Sequence, residues 1–106
     1  MGVSKDEYFY SMASFFVYIL QCNDGLYYVG HTADMDQRLD LHAVAKISYV
    51  AQRLPFKLVY QEEFMTRTEA FAMEQRLKGW SRRKKEALIA GDFEQLMVLA
   101  KKKFIK

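Results

Sequence analysis

Two strand-forming runs face each other across a turn near the start of the chain. Phe15 to Gln21 (FFVYILQ) and Leu26 to His31 (LYYVGH) are rich in β-branched and aromatic residues. Between them, Cys22-Asn23-Asp24-Gly25 carries the Asp-Gly dipeptide favoured in tight hairpins. A hairpin here sets Tyr18 and Tyr28, ten residues apart in the chain, on adjacent antiparallel strands.

The signals that follow are mainly helical. Asp34, with Gln37 three residues on, opens a helix that runs to about Lys46 and puts Arg38 and His42 on one face. Residues 47–55 form a loop ending at Pro55, and Phe56 to Glu62 (FKLVYQE) alternates as a third strand. Thr66 with Glu69 caps a second helix reaching about Trp80, with an apolar face of Ala70, Phe71 and Leu77. Glu74 points with that face, where a carboxylate needs a cation, a metal or a proton to neutralise it. Ser81 caps a third helix that Gly91 ends. Its first turn, Arg82-Arg83-Lys84-Lys85, opposes the helix dipole, a penalty that a bound phosphate would reverse. Asp92 with Gln95 opens a fourth helix, apolar at Phe93, Leu96, Met97, Ala100 and Phe104. The order ββαβααα predicts an α+β fold, in which a small three-stranded antiparallel sheet is flanked by helices. It reads as a ββαβα core plus C-terminal helices. Residues 1–14 read as a flexible N-terminal tail and residues 15–106 as the domain.

Composition narrows the function classes. With 106 residues, half of them apolar, the chain suits one globular domain. A single cysteine, Cys22, excludes an internal disulfide, and with only His31 and His42 beside it a zinc-finger cluster is excluded too. A reducing, cytoplasmic setting follows. The apolar run Phe15 to Leu20 is too short to span a membrane, and Gln21 is unsuited to a signal-cleavage site, so the run reads as a buried strand. Charge is divided unevenly: residues 1–66 carry a net −3 and residues 67–106 a net +6. A basic C-terminal half suits a polyanion, although a solvated helical surface has the same composition.

Five blocks then stand in order. They are Val17-Tyr18-Ile19; Tyr28-Val29-Gly30; His31 to His42 (HTADMDQRLDLH); Leu54-Pro55 with Leu58-Val59-Tyr60; and Thr68-Glu69-Ala70 through Glu74, with Lys78-Gly79-Trp80-Ser81-Arg82 running on to Ile89. Together, over about residues 15–100, they resemble the GIY-YIG nuclease superfamily, in particular its small stand-alone bacterial members. The resemblance implies a metal-dependent endonuclease that hydrolyses DNA phosphodiester bonds in DNA repair, recombination or processing. It implies Mg²⁺ or Mn²⁺ as cofactor, nucleic acid as partner with DNA foremost, and a helper protein for specificity. By position, Glu74 matches the family's metal-binding glutamate, Arg38 its catalytic arginine, Tyr18 and Tyr28 its motif tyrosines, Gly30 its motif glycine and His42 its following histidine. Val17 stands where the first motif glycine would be, and Ala43 to Ser48 lacks the glycine that small members carry there.

The implied chemistry suits these residue types. Phosphodiester hydrolysis gathers negative charge on the phosphoryl oxygens and the leaving oxygen, which a carboxylate-held divalent ion stabilises. Arg38 can fork onto a phosphoryl oxygen. Either Tyr18, with a cation nearby, or His42 can take the proton of the attacking water. Tyr28 would orient water or phosphate. His31, Lys78, Arg82, Arg83, Lys84 and Lys85 are candidate nucleic-acid contacts, of the kind that position a backbone without reading sequence. The altered stretch after His42 motivates a second reading, a binding module that holds nucleic acid without cutting it.

Overall fold

The computed structural model describes residues 14–43 and 54–102. The expected N-terminal tail, except Ser14, and the stretch from Val44 to Ser48 that departs from the family pattern lie outside the described residues. The chain divides into two compact units, Met1–Glu74 and Gln75–Lys106.

The first unit holds β1 (Phe15–Cys22), β2 (Tyr27–Thr32), α1 (Met35–Ala43), β3 (Phe56–Phe64) and most of α2 (Arg67–Lys78). The three strands form one antiparallel sheet in the order β2-β1-β3. The α+β fold is therefore as the sequence predicts. β1 is the central strand, and Val17, Tyr18, Ile19 and Leu20 are all fully buried. A strand covered on both faces reads as a continuous apolar run, not as an alternation, which accounts for FFVYIL. On one face Tyr18, Leu20 and Cys22 form a core against Tyr28, Met35, Leu39, Leu54, Phe56 and Leu58. The β1–β3 pairing slips at Ile19/Leu20, where a bulge inserts Val59 between the partners Tyr60 and Leu58.

The hairpin turn falls at Cys22 to Gly25, as the residues indicate, and its loop is Asn23, Asp24 and Gly25. The Cys22 carbonyl accepts from the Gly25 N–H at 2.9 Å, and the Cys22 N–H donates to the Leu26 carbonyl at 2.8 Å. Gly25 takes φ 85°, the left-handed conformation that closes a three-residue hairpin loop. β2 accordingly begins at Tyr27, not Leu26, and runs on to Thr32. β3 continues to Phe64, two residues past the expected end at Glu62.

All four predicted helix starts are capped as expected. The side chains of Asp34, Thr66, Ser81 and Asp92 accept from the N–H of Gln37, Glu69, Lys84 and Gln95, at 3.0, 3.1, 3.2 and 3.0 Å. The apolar stripe of α2 is narrower than predicted. Ala70, Glu74 and Leu77 lie along one line of the helix and are buried, whereas Phe71, a step of about 100° round from Ala70, is half exposed. Trp80 lies past the end of α2.

The second unit holds the end of α2, α3 (Arg82–Ala90) and α4 (Phe93–Lys102). Gly91 ends α3 at φ 73°, with its N–H and that of Asp92 turned back to the carbonyls of Leu88 and Ala87. α3 packs against α4. Two helices cover only one side of each other, so Phe93 and Met97, expected on a buried face of α4, are exposed.

Candidate active site

The pairing of β1 with β2 sets the first contact. Tyr18 stands opposite Gly30, and Leu20 opposite Tyr28. Cross-strand partners share a face, so Tyr18, Tyr28 and Gly30 look the same way. The Tyr18 phenol lies across Gly30: a Cβ there would come within 2.5 Å of the hydroxyl oxygen and 2.7 Å of the ring carbon bearing it. Gly30 is needed for this close approach and not for an unusual backbone angle.

The next group comes from α1. Thr32, at the end of β2, accepts from the Asp34 N–H at 3.1 Å and donates to the Asp34 carbonyl at 3.2 Å, which fixes the turn from strand into helix. Arg38 and His42 follow on one face of α1, four residues apart. His42 is fully buried, and its Nε2 shares a hydrogen bond of 3.1 Å with the Tyr18 hydroxyl. Its ring stands edge-on to Tyr18, Tyr28 and Phe56, with centroids 5.9, 5.1 and 5.8 Å away. Nδ1 of His42 has no hydrogen-bond partner among the described residues.

Burial governs how both groups titrate. It pushes the Tyr18 phenol up to about 12, with Tyr28 and then Glu74 adding to the rise while the Arg38 guanidinium beside the hydroxyl pulls the other way. Burial, with the Arg38 charge behind it, lowers His42 to about 4. At neutral pH the pair is therefore a protonated phenol beside a neutral imidazole, and one hydrogen is shared between Oη and Nε2.

The second polar contact joins β2 to α2. His31, one residue past Gly30 and paired with Val17, leaves the Tyr18 face of the sheet. Its Nδ1 meets Oε1 of Glu74, whose side chain is 9% exposed. Phe71, one turn before Glu74 on α2, sets its ring edge-on to His31 with centroids 5.7 Å apart. Sequence reasoning found Glu74 but missed this pairing, because 43 residues separate the partners and no spacing rule links them. The contribution of Glu74 to the Tyr18 shift ties the two contacts into one electrostatic neighbourhood.

The remaining predicted residues belong to the second unit. Lys78, Arg82 and Arg83 are exposed, Lys84 and Lys85 half-buried. Arg82 pairs with Glu86 at 3.0 Å, and the Lys84 ammonium lies 4.4 Å over the Trp80 ring. These contacts use part of the basic stretch internally.

For a divalent ion, the donors on offer are the Glu74 carboxylate and the His31 imidazole. No group of three or more His, Cys, Asp or Glu side chains converges among the described residues. Such a donor set fits an ion that takes most of its ligands from water and substrate oxygens, as Mg²⁺ and Mn²⁺ do in phosphate chemistry.

The model of the GIY-YIG catalytic domain matches residues 14–87, a span that contains every one of these polar groups. The chain belongs to the GIY-YIG family. Among similar proteins, the UPF0213 protein BH0048 of Halalkalibacterium halodurans is 45% identical over 76 residues, covering 71% of this chain and 81% of the relative. A UPF0213 protein of Streptococcus pneumoniae serotype 4 is 41% identical over 76 residues, covering 71% and 77%. The solution structure of the UPF0213 protein BH0048 from Bacillus halodurans has a TM-score of 0.51 and 42% identity, covering 77% of this chain and 92% of that one. That of the protein EF2693 from E. faecalis has a TM-score of 0.55 and 34% identity, covering 76% and 86%. In this GIY-YIG chain the two tyrosines and the glycine of the motif are thus one cross-strand cluster. No described helix is long and apolar enough to cross a membrane.

Two outcomes are expected. Gly30→Ala destabilises the fold by about 1–3 kcal/mol through overpacking against the phenol. Combining it with Tyr18→Phe, which removes the nearest atom, recovers part of that loss in a double-mutant cycle by chemical denaturation; strict additivity would refute the contact. His42 titrates near 4 by NMR of its ring protons. Because the unfolded chain takes up that proton near 6.5 and the folded chain only near 4, stability falls as pH drops through this window. A His42 midpoint at or above 6 would contradict its burial.

Proposed function

We propose that this chain is a metal-dependent endonuclease that hydrolyses DNA phosphodiester bonds, in DNA repair, recombination or processing. The observation that carries the reading is the buried hydrogen bond between Tyr18 Oη and His42 Nε2, with Arg38 beside it and the Glu74 carboxylate in the same field. A phenol and an imidazole held in the core by a glycine-sized gap are costly to build for packing alone, where Phe and Leu would serve.

Glu74, with His31 against it, would hold the divalent ion, which when bound neutralises charge on the phosphoryl and leaving oxygens. Arg38 forks onto a non-bridging phosphoryl oxygen and stabilises the charge that grows there. The attacking water loses its proton to the Tyr18 oxygen, while the phenol passes its own proton to Nε2 of His42. His42, which burial lowers to about 4, is neutral at pH 7, so Nε2 is open to that proton. The water oxygen bonds to phosphorus, and the bond to the leaving oxygen breaks. Tyr28, packed against both rings, orients the pair. Lys78, Arg82, Arg83, Lys84 and Lys85 in the second unit supply backbone phosphate contacts, which are independent of sequence.

The test is cleavage of labelled single-stranded, duplex and flapped DNA with Mg²⁺, Mn²⁺ or EDTA. Wild type gives metal-dependent products, Glu74→Ala gives none, and Arg38→Ala is slower by about 10²–10³-fold. Salt-sensitive DNA binding without products from any form would replace this reading with the non-cutting binding module.

A further inference from the structure

The His31–Glu74 contact has two readings. His31 can be a hydrogen-bond partner that only orients the carboxylate, or its imidazole can share the carboxylate's task. We propose that His31 is a second protein ligand, through Nδ1, to the divalent ion assigned to Glu74, so that this chain offers a mixed nitrogen-oxygen pair. The inference rests on the metal-dependent reading above.

Three observations carry it. The atoms that meet are both donors to metals: Nδ1 of His31 and Oε1 of Glu74, brought together from β2 and α2. They meet in a sheltered place, with side chains 23% and 9% exposed, where few waters compete for either donor. The imidazole is also held in one orientation, because the Phe71 ring stands edge-on to it from the same helix that carries Glu74. A direct phosphate contact, the role expected for His31 from sequence, fits less well. Its Nδ1 is aimed at a carboxylate, whose charge repels phosphate unless a cation stands between them.

Ligand chemistry separates the two readings. Carboxylate and water ligands suit Mg²⁺, whereas an imidazole nitrogen adds affinity for Mn²⁺ and still more for Co²⁺. An orienting hydrogen bond acts on the carboxylate, so its loss weakens all three ions alike.

The experiment is calorimetric titration of the folded protein with Mg²⁺, Mn²⁺ and Co²⁺, for wild type, His31→Ala, His31→Gln and Glu74→Gln. His31→Gln keeps a side-chain N–H for Glu74 but offers no imidazole nitrogen, and it guards against a fold defect in the alanine variant. The proposal expects both His31 variants to lose about tenfold or more in Co²⁺ and Mn²⁺ affinity while Mg²⁺ affinity stays nearly constant. Equal losses for all three ions, rescue by glutamine, or no loss would overturn it and leave the nuclease reading standing. Wild type that binds none of the three ions would overturn the metal-dependent reading together with this one.

Discussion

The fold is arranged around a phenol buried in the middle of its central strand. Tyr18 is fully buried, so its hydroxyl needs a hydrogen-bond partner within the protein. His42 is that partner, at 3.1 Å. Meeting this requirement fixes much else. β2 must present a glycine opposite Tyr18, α1 must start where Thr32 turns the chain, and Arg38 then comes to the same spot one helical turn before His42. An apolar residue at position 18 would relax all of these conditions at once.

Burial also prepares the chemistry. A phenol moved up to about 12 and an imidazole moved down to about 4 are each held in the neutral form across the physiological range. Arg38 is the fixed positive group beside this neutral pair. The Glu74 carboxylate, sheltered and paired with His31, places negative charge on the other side of the same neighbourhood. The two units differ in what they carry: Tyr18, His42 and Glu74 lie in the first and the basic stretch in the second.

Much of this was legible in the residues, for local physical reasons. The hairpin, the four helix caps and the glycine that ends α3 are each set by neighbours within a few positions, and the structure has them where the residues indicate. The shared face of Arg38 and His42 follows from helical spacing alone. What was not legible depends on distance in the chain or on how wide a helix stripe is. Glu74 could be seen to need neutralising, yet nothing in the sequence named His31, which is 43 residues away. Phe71, Phe93 and Met97 satisfy apolar periodicity but are exposed, because periodicity gives the side of a helix and not how much of that side is covered.

The most direct measurement is the cleavage rate of Tyr18→Phe beside its unfolding free energy. That variant removes one oxygen and leaves the ring in the core. The account predicts a folded protein whose metal-dependent cleavage is lost by about 10²-fold or more, because the path from water to His42 is cut. Cleavage at the wild-type rate in a folded Tyr18→Phe protein would show that the buried phenol serves packing alone and would contradict the account.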